Sequence, residues 1–209
     1  MIPVQIKAVQ YIPNASRDLC KELGVPDLSP SLGLLTTDSD DTTYIALDEA
    51  TKAAEVAVRY ARSFYAGAAS ASTPYAGEVI GILSAATPGA VRSGMEAALG
   101  ALQRIGFEEI GGVPYLAHTI SSCGSFLAAE AGVPVGSALA YLIAPPIESM
   151  VGLDAALKAS DVRLCKLYAP PSETNFGGGL LTGTQSACAA ACDAFQRKVT
   201  EVAGRPIEQ

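Results

Sequence analysis

Hydrophobic and polar positions along this chain alternate between two periods, and the alternation itself repeats. Ile2–Ile12, with partial alternation, reads as a first strand, and strand-like runs follow at Ser31–Thr37, Val56–Tyr60 and Glu78–Leu83. Further strands are predicted at Tyr115–Ile120, Ala138–Ile143, Val162–Tyr168 and Leu180–Gly183. Between them lie helical stretches. One follows the cap residues 14–18 and is closed by Gly24 and Pro26, and one runs from Leu47 towards Val56. Others cover Ala90–Arg104, Ser125–Ala131 (closed by Gly132), a segment entered through Pro145-Pro146-Ile147-Glu148, and Ser186–Val202. Asp38-Ser39-Asp40-Asp41 and Ala86-Thr87-Pro88-Gly89 read as turns. Alternating strands and helices of this kind imply an α+β sandwich, with helices packed on one sheet per module.

The modules are two. Leu47-Asp48-Glu49-Ala50-Thr51-Lys52-Ala53-Ala54-Glu55-Val56 returns as Leu153-Asp154-Ala155-Ala156-Leu157-Lys158-Ala159-Ser160-Asp161-Val162, offset by 106 residues with six of ten positions identical. Alanine-rich helices also converge, but retention of the Asp, the Lys and a trailing acid-Val in register favours duplication. In each copy the acid at the second position reads as a helix N-terminal residue. The predicted boundary gives domains 1–110 and 111–209, and each chain is then a pseudo-dimer.

Composition narrows the function. Hydrophobic residues make up 49% of the 209, charged residues 17%, and the mean hydropathy is +0.29, which argues for a folded and oligomeric protein. A net charge of −7 argues against nucleic acid as a partner. The sequence shows neither an apolar run long enough to span a bilayer nor a signal-peptide pattern at its start, so a cytoplasmic protein with no membrane partner is expected. Five scattered cysteines (20, 123, 165, 188 and 192) fit a reduced compartment.

Several blocks together resemble the EutL-type tandem-domain shell proteins of bacterial microcompartments. They are Ser31-Leu32-Gly33-Leu34, Asp38-Ser39-Asp40-Asp41, Asp48-Glu49-Ala50-Thr51-Lys52, Tyr65-Ala66-Gly67-Ala68, Ala76-Gly77-Glu78-Val79, Tyr141-Leu142-Ile143-Ala144-Pro145-Pro146, Leu153-Asp154-Ala155-Ala156-Leu157-Lys158 and Pro171-Ser172-Glu173-Thr174-Asn175-Phe176. The resemblance implies two circularly permuted, ferredoxin-like shell domains. It also implies a homotrimer of pseudohexameric outline that tiles a shell with other shell proteins, a central pore whose loops open and close, and a small pore in each subunit. By motif position, the residues carried over to an ethanolamine-like ligand are Asp40, Asp41, Glu78, Phe107, Thr174, Asn175 and Phe176. The pore-gating loop would be Gly67-Ala68-Ala69-Ser70-Ala71-Ser72-Thr73-Pro74. Two departures stand out. Phe107 aligns only across a gap, and Ser121-Ser122-Cys123-Gly124-Ser125-Phe126 lacks the arginine usual there.

The chemistry of those residues is that of a binding site. Carboxylates of Asp40, Asp41 and Glu78 would pair with an alkylammonium, an aromatic ring adds a cation–π contribution of about 1 kcal/mol, and Thr174 and Asn175 would meet a hydroxyl. The same acids also read as a turn, a helix cap and a solvated glutamate. His118 is the single histidine, and Cys188 and Cys192 lack a second pair at zinc spacing, so no metal or cofactor is expected. Thr182–Ser186 offers a helix start to an anion, but no phosphate-loop or nucleophile-elbow pattern accompanies it. A non-enzymatic shell protein of the ethanolamine-utilisation type is the reading reached. The rivals are a shell protein of a choline or propanediol pathway, a ligand-sensing pore protein, and an enzyme whose Asp40, Glu78 and His118 would have to converge.

Overall fold

The computed structural model describes residues 1–209 except 27, 29, 65–76, 171, 173, 174, 208 and 209. The elements run β1 (Ile6–Ile12), α1 (Arg17–Glu22), β2 (Ser31–Thr37), α2 (Asp40–Ala53), β3 (Ala57–Ser63), β4 (Val79–Ala85) and α3 (Pro88–Leu102). They continue as β5 (Glu108–Ile110), β6 (Val113–Ile120), α4 (Ser125–Ala131), β7 (Ala138–Ala144), α5 (Pro146–Ala159), β8 (Val162–Tyr168), β9 (Gly177–Gly183) and α6 (Gln185–Gly204). The chain divides into two compact units. The N-terminal unit comprises Pro3–Ile105 with Gly124–Leu127, and the C-terminal unit comprises Met1–Ile2, Gly106–Cys123 and Ala128–Gln209.

The N-terminal unit holds a four-stranded antiparallel sheet in the order β1-β2-β4-β3. Side chains alternate across it. Leu32, Leu34, Ile80 and Ile82 lie on one face, where Ala15, Cys20 and Val25 of the α1 region complete a core cluster. Gly33 and Gly81 point the other way, towards Val91 and Met95 of α3 and Leu47 of α2. The C-terminal unit holds five strands in the order β5-β6-β7-β9-β8, also antiparallel. Its main core joins Ala138, Ala140, Leu142 and Leu181 of the sheet to Leu153 and Ala156 of α5 and to Cys188, Cys192, Phe195 and Val199 of α6. With β5 set aside, the two strand orders are the same, and a helix follows the corresponding strand in each. Even the irregularities correspond. The β3–β4 register shifts between Val58 and Tyr60, and the β8–β9 register shifts between Leu164 and Lys166, 106 residues later.

Several elements differ from the sequence expectation, and β1 begins at Ile6 rather than Ile2. Helix α2 begins at Asp40, seven residues before Leu47, so Asp40 and Asp41 form its first turn and Asp48 lies in its interior. The β-branched pair Thr42-Thr43 and Tyr44-Ile45 reads as strand-like, but burial of this stretch overrides intrinsic propensity. Asp154 is likewise interior to α5. Pro88 belongs to the first turn of α3, where its missing N–H costs nothing, and Thr87 caps Ala90 N at 3.2 Å. Strand β9 begins at Gly177 because pairing with β7 fixes glycines that are poor strand formers alone. The hairpin β5–β6 was not anticipated. Its turn residues Gly111 and Gly112 have φ of +59° and +82°, the left-handed pair that a two-residue hairpin demands.

Candidate functional site

The acids of the N-terminal unit gather where β2 leads into α2. Ser39 is the N-cap residue, and Asp40 and Asp41, both buried, sit at the positive end of the helix. Asp40 Oδ1 accepts a hydrogen bond from Asp41 N at 2.8 Å, and Oδ2 accepts one from Ser63 Oγ at 2.8 Å. Ser63 Oγ is in turn hydrogen-bonded to the Tyr44 hydroxyl. Thr37 and Thr43 hydroxyls bond at 2.7 Å, and Asp38 Oδ1 accepts from Gln5 N at 2.7 Å. Glu78 is placed by its backbone, which donates to Thr37 O at 2.7 Å and accepts from Phe64 N at 2.9 Å. Its side chain is exposed. Partial desolvation holds the Glu78 carboxyl above its ordinary 4.5, the negative charges of Asp40 and then Asp38 push it the same way, and Lys7 opposes them. Asp38, Asp40 and Glu78 thus form an acidic trio in which the charges of the first two are felt at the third, and a cation beside Glu78 would offset them.

In the C-terminal unit the two phenylalanines meet. Phe107 and Phe176 stand edge to face, with centroids 5.8 Å apart and planes at 62°. Phe107 O accepts from Ile2 N at 2.6 Å, and Phe176 O accepts from Ser172 N at 3.3 Å. Asn175 between them in sequence has φ of +65°, a conformation that asparagine tolerates better than most residues. Thus Asp40, Asp41 and Glu78 belong to one unit, and Phe107, Asn175 and Phe176 to the other. Thr174 and the whole of Gly67–Pro74 lie outside the described residues.

Sequence reasoning missed Ser63, which holds Asp40 from 23 positions away, and Tyr44, whose hydroxyl bonds Ser63 across α2 and β3. It also missed the role of Asp48. That side chain is 1% exposed, and its two oxygens accept hydrogen bonds from Gly124 N at 2.6 Å and Leu127 N at 2.8 Å. Thr51 Oγ1 accepts from Ser125 N at 3.0 Å, and the Tyr44 and Phe126 rings lie 6.1 Å apart. All of these residues belong to the N-terminal unit. Burial raises the Asp48 carboxyl above its ordinary 3.8, and the N–H groups of Leu127 and Gly124 counter it, as does Lys52. The carboxylate does the work of an N-cap side chain that Gly124 lacks.

The remaining candidates are structural. Cys188 and Cys192 are buried in the α5–α6 core, and burial pushes the Cys192 thiol up to about 11 although Thr119 Oγ1 donates to it at 3.3 Å. Among the described residues no three His, Cys, Asp or Glu side chains are grouped to hold a metal. His118 is half-buried on β6 opposite Tyr141, in a different unit from Asp40 and Glu78. At the start of α6 the Thr184 hydroxyl already accepts from Ala187 N at 3.1 Å. No helix among the described residues is long and apolar enough to cross a membrane.

Comparison with known proteins gives this architecture its family. Residues 31–113 match the BMC domain family. The bacterial microcompartment shell protein EutL of Clostridium perfringens (strain 13 / Type A) is 54% identical over 99% of this chain and 97% of that one. The EutL shell protein of Escherichia coli (strain K12) is 45% identical over 100% and 97%. The crystal structure of the ethanolamine utilization protein EutL from Leptotrichia buccalis C-1013-b superposes with a TM-score of 0.95, at 55% identity, over 100% of this chain and 98% of that one. These relatives are structural proteins of a shell rather than enzymes, and with them this chain belongs to the EutL family of bacterial microcompartment shell proteins.

Proposed function

We propose that the chain works as a homotrimer, a perforated tile that lets small polar metabolites cross the shell of an ethanolamine-utilisation microcompartment. The two units are taken as the two shell domains, so three chains supply six. The observation that carries this reading is the repeated strand order of the two units, because three copies of a doubled module close into a ring of six similar parts. Transport is diffusion through a pore, with no covalent step. The Gly67–Pro74 loop is the proposed gate. Sedimentation equilibrium should give three times the 21.4 kDa chain mass, and electron microscopy should show layers. A monomer at micromolar concentration that forms no layer overturns the reading.

The ligand assigned to the Asp38, Asp40 and Glu78 trio is a small alkylammonium such as ethanolamine, with Asp41, Phe107, Thr174, Asn175 and Phe176 as the other proposed contacts. The raised Glu78 carboxyl supports this, since a bound cation relieves the crowding of like charges. Affinity should therefore rise with pH as Glu78 ionises above its ordinary 4.5. Titration calorimetry of wild type and Glu78→Ala with ethanolamine, choline and propanediol tests it. Equal heats for the two proteins remove the trio from the site. Binding of uncharged propanediol alone would remove the cation.

A further inference from the structure

The repeat leaves one half of an internal contact without its counterpart. From Asp40 to Pro146, the starts of α2 and α5, is 106 residues; from Arg17 to Ser125, the starts of α1 and α4, is 108. By these offsets Tyr44, Asp48 and Lys52 correspond to Met150, Asp154 and Lys158, and Gly124 and Leu127 correspond to Ser16 and Leu19. The α2 face is covered by residues 124–127 through the Asp48 and Tyr44 contacts described above. The α5 face is open. Ile147 is 64% exposed, Met150 44% and the Asp154 side chain 63%, with Lys158 at 2.6 Å as its ion pair among the described residues. These residues recur at three- and four-residue spacing and form one stripe. The matching part of α1 is also open, since Leu19 is 40% exposed where Leu127 is 1%.

We infer that the α5 stripe of Ile147, Met150 and Asp154 is the docking surface for the α1 start of a second copy of this chain. This rests on the trimer proposed above and names its seam. Each chain carries one covered pair and two complementary open halves, which is the arrangement of a heterologous contact that closes into a ring. Charge agrees with the pairing. Asp154 would pair with the Arg17 guanidinium in the first turn of α1, where Asp18 is the neighbouring acid. The copy is not atom for atom. A Cβ at Gly124 would lie 2.2 Å from Thr51 Oγ1 and 2.7 Å from Asp48 O, whereas Ser16 carries a Cβ and caps Leu19 N itself at 3.3 Å. The seam between chains is accordingly wider at that point, and Asp154 is left for Arg17.

The test joins the two halves covalently. The full-length double variant Ser16→Cys, Asp154→Cys is oxidised mildly and run without reductant, beside each single variant. Formation of two-chain and three-chain products by the double variant alone, ending at three, is the expected result. A wild-type trimer whose double variant also assembles but does not cross-link overturns the seam and leaves the trimer standing. A wild-type monomer overturns the trimer reading itself. As an independent check, Met150→Glu should shift the sedimenting species from three chains to one with an unchanged circular dichroism spectrum. Undiminished assembly by that variant counts against the seam.

Discussion

Helices α2 and α5 start from nearly the same ten-residue pattern and end in opposite surroundings. In α2, Asp48 is sealed under residues 124–127 and holds two backbone N–H groups. In α5, Asp154 reaches into solvent and pairs with Lys158 one turn on. The identity of a residue within a repeat therefore fixes its place on the helix, while the chain that lands on it fixes its job. Conversely, α1 and α4 begin in the same fold position but are capped by different means. Ser16 uses its own hydroxyl; Gly124 borrows a carboxylate from 76 residues away.

The contrast can be broken by substitution. The largest effect belongs to Asp48→Ala, which strands the N–H groups of Gly124 and Leu127 and should cost about 2–4 kcal/mol in urea unfolding. Lys158→Ala, which breaks the surface pair of α5, should stay within about 0.5 kcal/mol. Equal losses would mean that the buried carboxylate has no special part. Next comes Gly124→Ala, where a methyl group meets Asp48 O and Thr51 Oγ1. Overpacking of this order costs about 1–3 kcal/mol and should lower the melting temperature visibly. Ser16→Ala removes a single cap on a six-residue helix, for about 1 kcal/mol, read as faster amide exchange at Leu19.

The smallest effect is one of pH. Asp48 is raised in the folded chain by burial, so the folded state takes up its proton first as the solution is acidified. Its contribution is complete below the ordinary 3.8 and is lost as pH rises through the raised value. The urea midpoint of wild type should fall with rising pH across that window more steeply than that of Asp48→Asn. Parallel curves would show that Asp48 does not titrate as its burial requires.

Much of this was legible beforehand because it is local. Ser31–Thr37, Val162–Tyr168 and Ser125–Ala131 have the bounds that alternation and capping predict, and Gly132 at φ +63° ends α4 as a glycine stop should. The start of α2 was not legible, since Thr42 to Ile45 prefer strands and only the packing of a whole helix outweighs them. The hairpin at Gly111-Gly112 had its signal in plain view, but three-residue β5 is too short to show a period. At the candidate site, the acids were picked out by charge and the rings by likeness. Their supports, Ser63 under Asp40 and residues 124–127 over Asp48, depend on contacts distant in sequence that no spacing rule encodes.

The borrowed cap at Gly124 also bears on how such a gene can change. Breaking the reading frame anywhere between Ile110 and Gly124 would deprive the first product of the four residues that shelter its Asp48 carboxylate. A chain cut there would leave a carboxylate that is 1% exposed in the intact protein facing water, so the first module keeps its cap only as long as the second remains joined to it.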